Sequence, residues 1–281
     1  MKNVIEYFYN IEINNTTIID NKLYFEHKNE KYIFEEIDKS KINIILLTQN
    51  YNNFHKIIRN KFNEITSKYI DKDYMLLKII VKENKKIFFE ELIDILFTNR
   101  VGAEYIEEDN DKWNKKINQM CNYISNKDNL LYREYYDYYI GLSDNAYNYS
   151  KNINYKNCLY GLTYKRIEED YTLYDIYDPC NIIIGPIIKG ISTYLKSCFF
   201  KNKEINIEKL IEKINYDDSI LLISNILFPT YFYDVFKYKK QEELEKYISN
   251  SSSYEKYILN IINEIKKKYQ NISSIPWLNQ L

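Results

Sequence analysis

The hydrophobic period of this chain changes once, near Lys85, and that change limits the folds open to it. Before it, apolar residues come in short runs broken by polar turns; beyond it they recur at helical spacing. Residues 4 to 37 read as short strands, with NKLYFEH and KYIFEEI flanking a polar turn at Lys28 to Glu30 as a hairpin. EITSKYI and YMLLKIIV, joined by Asp71-Lys72-Asp73, read as a second hairpin. Between the hairpins, INIILLTQNYNNFHKIIRNKF can set Ile45, Leu46, Tyr51, Phe54, Ile57 and Ile58 on one face of a single helix. After Lys85, IFFEELIDILFTNR, DKWNKKINQMCNYI and NLLYREYYDYYIGLSDNAYNYS read as three consecutive amphipathic helices. The chain is turn-rich from Tyr160 to Ile188, with short strands at Gly161 to Tyr164 and Asn181 to Ile184, and helical again from Ser192. In the last helix, SSYEKYILNIINEIKKKYQ, Ser252 or Ser253 is the expected cap and Lys266 to Lys268 suit the negative end of the dipole. The expectation is an α+β fold. It has a small β-rich lobe over residues 1–83 with one helix, and a larger, mostly helical lobe over 84–281 with no flexible linker.

Composition excludes several function classes. Lys and Arg total 39 against 40 Asp and Glu, so no overall field draws the chain to nucleic acid. Cys121, Cys158, Cys180 and Cys198 are far apart and form no CxxC pair, so neither zinc nor a disulfide framework is expected. The N-terminus, MKNVIEYFYNIEI, lacks the apolar segment of a signal peptide, and a reducing cytoplasm is the expected location. NIIIGPIIKGISTYLKSCFF and SILLISNILFPTYFYDVF are interrupted by Lys189, Lys196, Asn225 and Asp234 and read as buried core, not as membrane spans. The 31 tyrosines are spread over every kind of segment, so they read as compositional bias and not as stacking platforms. Trp113 and Trp277 read as packing anchors.

From Pro179 to Lys203 there is no Asp or Glu, and the preceding YDIYDPCNIII has the look of a degenerate kinase-type catalytic loop followed by a strand. Together with WNKKINQM, YREYYDYYIGLSDNAYNY, YGLTYKRI, ILFPTYFYDVF and the closing SSIPWLNQL, these stretches resemble the CotS-type spore-coat proteins of low-GC Gram-positive bacteria. The resemblance covers most of the chain beyond Lys112. It implies the protein-kinase-like, two-lobed fold of choline kinases and aminoglycoside phosphotransferases, with a nucleotide cleft. It also implies other proteins, including spore-coat components, as partners.

The departures from the family pattern carry the functional expectation. Phosphotransferases resembling this chain carry a His, a catalytic Asp two residues later, an Asn five residues on and then a metal-binding Asp. The coat-like relatives imply a His-Arg-Arg-like segment, which here becomes YKRI with Tyr164 in the His position, and Asn181 stands for the Asn with Asp175 six residues and Asp178 three residues before it, neither at the family's spacing. Gly185 and Gly190 stand where the resemblance implies carboxylates, the helix read over Asn43 to Lys61 has no Glu, and no glycine precedes Gly102 to form a phosphate loop. Phosphoryl transfer rests on metal ions that neutralise the phosphates, so these losses point to a catalytically impaired, pseudokinase-like protein with a structural or interaction role. That reading expects no cofactor. The alternatives are a small-molecule kinase of the choline or aminoglycoside type, with ATP and Mg²⁺, and a nucleotide-binding scaffold without turnover. The site candidates are Asp175 and Asp178 for catalysis, with Asn181, Lys165 and Arg166 for the nucleotide; no residue is assigned to a metal. Glu168, Glu169, Asp170, Asp175 and Asp178 read as a solvated acidic loop, Lys165-Arg166 as partners of Glu168 or Glu169, and His55 and Cys180 as packed side chains.

Overall fold

Three hairpins turn through two residues with positive φ, and none of them uses glycine. The pairs are Asp20-Asn21 (φ 48° and 63°), Lys28-Asn29 (52° and 63°) and Ile70-Asp71 (47° and 59°). Two consecutive left-handed residues give the tight turn whose twist matches that of the flanking strands. Asn and Asp tolerate that region best among side chains with a Cβ, whereas Ile70 occupies it under strain and is largely exposed.

The computed structural model describes residues 1–102, 110–125, 133–238, 245, 247–275 and 278. They form two compact units, the first made of Met1–Phe88 with Asp170–Ile184 and the second of Phe89–Glu169 with Gly185–Leu281. In the first unit, β1 (Thr16–Ile19), β2 (Lys22–His27), β3 (Glu30–Ile37), β4 (Lys56–Ile58), β5 (Ser67–Tyr69) and β6 (Lys72–Lys78) make an antiparallel sheet. Its order is β1-β2-β3-β6-β4, with β5 also paired to β6. The predicted hairpins are β2–β3 and β5–β6, the second turning at Ile70-Asp71, ahead of the predicted tip.

Both faces of this sheet are covered. Helix α1 (Lys2–Tyr9) buries Val4 and Ile5 against Leu23, Phe25, Phe34, Tyr74 and Leu76 on one face. On the other face, Ile45 of α2 (Ile42–Thr48) and Tyr174 of the short helix α6 (Leu173–Ile176) pack on Ile33, Ile37, Met75, Leu77 and Ile79. Three expectations are corrected here. The first residues are helical, so the unit has more than one helix. The helix read from Asn43 to Lys61 stops at Thr48, where the Gln49 amide donates to the His55 carbonyl at 3.1 Å and its carbonyl accepts from the Ile57 N–H at 3.0 Å. This Gln49 bracket turns the chain into β4.

The second unit contains α3 (Phe89–Thr98), α4 (Asn110–Ser125), α5 (Arg133–Ser150), β7 (Tyr160–Tyr164), α7 (Ile187–Phe200), α8 (Glu208–Lys213), α9 (Tyr216–Leu227), α10 (Thr230–Tyr238) and α11 (Ser251–Lys268). Strand β8 (Ile182–Pro186) runs from the first unit into it. Helix α9 is buried along most of its length and packs on α5 and α7. It starts with a capping box in which Asn215 accepts from the Asp218 N–H at 2.9 Å. At its other end the Lys196 amine, whose pKa burial lowers to about 7, donates to the Phe228 carbonyl at 2.6 Å. Trp113 stacks on Phe228 with centroids 4.6 Å apart, as an anchor should; Trp277 lies outside the described residues. The cap of α11 is Asn250 and not a serine, and Lys266 to Lys268 fill its last turn. No helix among the described residues is long and apolar enough to cross a membrane. Ile182, Ile187 and Ile188 are buried as the apolar run suggests, but Ile184 is 41% exposed.

Gly190 explains part of the missing charge. A Cβ built there would lie 2.8 Å from Thr163 Oγ1 and 3.1 Å from Ile167 Cδ1, so α7 reaches β7 only because this residue has no side chain. A carboxylate has no room. Gly141 of α5, by contrast, has nothing within 4 Å of a built Cβ. Denaturant melts should therefore separate the two: Gly141→Ala should gain about 0.5–1 kcal/mol from helix propensity, whereas Gly190→Ala should lose about 1–3 kcal/mol to overpacking.

Candidate functional site: a buried lysine gripped by two carboxylates

Alternation along β2 and β3 decides which side chains meet. Leu23 pairs with Phe34 in the register, so Lys22 and Glu35 are the next cross-strand neighbours, on the same face as Tyr24, Ile33 and Ile37. The Lys22 ammonium lies 2.9 Å from Glu35 Oε2 and also makes a very short ion pair with Asp178 Oδ2. Asp178 arrives from the segment after α6, where its Oδ1 also accepts the Cys180 N–H at 2.8 Å and caps the turn Pro179–Asn181. The Lys22 side chain is 18% exposed, those of Glu35 and Asp178 only 5% and 1%.

Two carboxylates and one ammonium cannot all be charged and balanced. Burial works against the Lys22 charge, but Asp178 and Glu35 outweigh it and hold the ammonium well above its ordinary range. Burial, then the Asp178 charge, push the Glu35 carboxyl well above the ordinary carboxylate range despite Lys22. Glu35 Oε1 has no hydrogen-bond partner, and a proton on Glu35 removes the excess charge. Cys180 lies beside this group, and burial followed by the two carboxylates pushes its thiol up, away from nucleophilic thiolate. His55 sits in a loop, not on a helix, fully buried, with its ring edge to Tyr174 at 5.9 Å and neither ring nitrogen hydrogen-bonded. Burial lowers its pKa, so it is neutral.

Lys22 opens onto a cleft of about 520 Å³ within the first unit. Tyr24, Tyr32, Ile79 and Tyr174 give it apolar walls, Asn84 and Thr172 polar ones, and Lys31, Asp20, Glu26 and Asp175 line it with charge. Of the residues singled out from sequence, Asp175, Asp178 and Asn181 lie in this unit, whereas Lys165 and Arg166 belong to the second. Asp175 is occupied in the capping box of α6, accepting from Thr172 N–H at 2.9 Å and Thr172 Oγ1 at 2.7 Å. The Asn181 amide donates to the Asp175 carbonyl at 3.1 Å. Arg166 pairs with Asp234 at 2.6 Å and Glu168 at 3.9 Å, and Lys165 is exposed. Two of the sequence candidates thus enter the site, Asp175 at the cleft wall and Asp178 with a cation as its partner, whereas Lys22 and Glu35 carry no motif of their own in the sequence.

A divalent metal of the phosphotransferase kind does not fit this arrangement. Donor atoms of Glu35, Asp178 and Cys180 lie within 4.8 Å of one another, but both carboxylates already hold Lys22 Nζ. Asp175 gives its Oδ2 to the cap of α6, and Asn181 donates through its Nδ2 and not through the Oδ1 with which an Asn binds metal, so the misfit lies at Glu35 and Asp178.

No protein-family profile matches the chain, and no curated protein matches it in sequence. Solved structures do match it in fold. An aminoglycoside phosphotransferase from Alicyclobacillus acidocaldarius subsp. acidocaldarius DSM 446 superposes with a TM-score of 0.66 at 10% identity, over 95% of this chain and 96% of that one. The chain has the phosphotransferase fold. Spectinomycin phosphotransferase APH(9)-Ia in its AMP-bound complex gives 0.58 at 14% identity, over 94% of this chain and 96% of that one. Choline kinase LicA from Streptococcus pneumoniae gives 0.51 at 11% identity, over 90% of this chain and 98% of that one. In protein kinases the phosphate-holding lysine stands on the third strand and pairs with a glutamate of the following helix. Here the third strand carries Glu35, α2 has no acid, and the lysine comes from β2.

Removing Lys22 leaves two buried carboxylates without a cation, so Lys22→Met should cost about 3–5 kcal/mol in denaturant melts. Glu35 binds its proton more tightly in the folded state than in the unfolded one. The stability it confers is therefore full at acid pH and is lost as pH rises from the ordinary carboxylate range through its raised pKa. Melts across that range should show the loss in the parent protein and a flatter profile in Glu35→Gln.

Proposed function

We propose that this chain is a nucleotide-binding protein of the phosphotransferase fold that does not turn its nucleotide over. The observation that carries the reading is Lys22, a cation at the wall of an aromatic cleft in the sheet-bearing unit, held in place by Glu35 and Asp178. An ammonium has three donors, and two are spent on the carboxylates, which leaves one for a phosphate oxygen. The tyrosine walls suit a base and the volume suits a mononucleotide. The reading of no turnover is supported by the ion pair that takes up Asp178 and by the cap that takes up Asp175 Oδ2. A structural or interaction role among spore-coat-type proteins is part of the same proposal and rests on the resemblance of the stretches from WNKKINQM onward.

The second reading, a small-molecule kinase, is favoured by the fold neighbours, which include spectinomycin phosphotransferase in complex with ADP and spectinomycin, and a choline kinase. Two measurements separate the readings. Nucleotide should raise the melting midpoint of the protein, and no phosphate should reach choline, spectinomycin or another aminoglycoside in its presence. Transfer to any of them that vanishes in a folded Asp178→Asn variant would establish the kinase; no midpoint shift with any nucleotide would remove the binding reading.

A further inference from the structure

The cleft that we read as a nucleotide site has a charge pattern that sets how many phosphates it tolerates. Lys22 and Lys31 face Asp20, Glu26 and Asp175 across it, two cations against three anions. Behind Lys22 stand Glu35 and Asp178, so the ammonium is already neutralised in part before any ligand arrives. Lys31 is exposed, its ammonium reaches the Tyr174 hydroxyl at 3.4 Å, and Glu26 stands directly opposite it in the strand register. One phosphate can take the remaining Lys22 donor and the Lys31 charge. A second and third would add anions to a cleft whose lining already carries the Asp20, Glu26 and Asp175 carboxylates against two lysines. In phosphotransferases a metal neutralises those charges, but here the ammonium fills the space between the carboxylates that would hold it.

We infer that the cleft takes a nucleoside monophosphate, bound without a metal ion, in preference to a metal–triphosphate complex. The inference rests on the nucleotide-binding reading and narrows it. Lys22 occupies the space between Glu35 and Asp178 and offers its remaining donor to one phosphate, while the aromatic walls take the base. The ligand class is a single phosphomonoester on a nucleoside, so neither half alone is sufficient.

Calorimetric titration of the full chain tests this with AMP, ATP, adenosine and inorganic phosphate, each in EDTA and in excess Mg²⁺. AMP should bind in EDTA with an affinity that Mg²⁺ leaves unchanged, ATP in EDTA should be weaker by about tenfold or more, and adenosine and phosphate should each be weaker than AMP by a similar factor. Because Lys22→Met is expected to lose stability, the site is checked with Lys31→Glu, at an exposed position. That variant sets a like charge opposite Glu26 in the register, so it should melt slightly below the parent while staying folded, and it should bind AMP about tenfold less tightly. ATP that binds only with Mg²⁺ and more tightly than AMP overturns the inference and leaves the nucleotide reading standing. AMP binding untouched by Lys31→Glu, or adenosine equal to AMP, also overturns it. Failure of every nucleotide under both conditions overturns the inference and the nucleotide reading together.

Discussion

The first unit is organised around one ammonium. Lys22 joins β2 to β3 through Glu35 and joins both to the segment after α6 through Asp178, whose Oδ1 in turn caps the following turn. Burying these ions costs free energy that their mutual attraction repays only when the geometry is closed, and removal of Lys22 or Asp178 leaves an uncompensated charge in the interior. The arrangement is therefore poor at adding net stability and good at specifying position. It fixes where Tyr174 meets the sheet, which completes the core on that face, and where the cleft keeps its cation.

The period change near Lys85 was legible because it rests on burial, which both sheet and helix write into the order of apolar residues. The hairpins at Lys28-Asn29 and Ile70-Asp71 and the helices α3, α4, α5, α9 and α11 all follow from it. Short elements escaped. Helix α1 has too few residues to be told from a strand by period, and the three residues of β4 continue the apolar spacing of α2 across a break made by hydrogen bonds of Gln49. Glu35 was readable in hindsight of its register: in KYIFEEI it stands between Ile33 and Ile37 on the inward face, where an acid needs a partner. Its partner on β2 follows from the hairpin register. Asp178, 156 residues from Lys22, could not be paired with it by any local signal.

The missing acids of the stretch from Pro179 to Lys203 have a packing side as well as a chemical one. At Gly190 the closeness of α7 to β7 excludes any side chain, so a carboxylate there would require the helix to move. The buried acids Glu35 and Asp178 instead hold a lysine. Asparagine has taken over much of the conformational work that glycine does elsewhere, at Asn10, Asn21, Asn29, Asn63 and Asn202, all with positive φ. A chain with five glycines can afford tight turns only on those terms.

The split make-up of the first unit has a consequence for how the protein is made. Its sheet is complete in sequence by Lys78, yet Asp178 and Tyr174 arrive only after the ribosome has added about as many residues again. During that interval Lys22 and Glu35 face one another as a simple pair, and the sheet face that Tyr174 will cover is open to solvent. An N-terminal fragment ending at Phe88 would thus keep Ile45 on that face but lack Tyr174, and the apolar surface that Tyr174 covers would stay exposed until the later segment threads back.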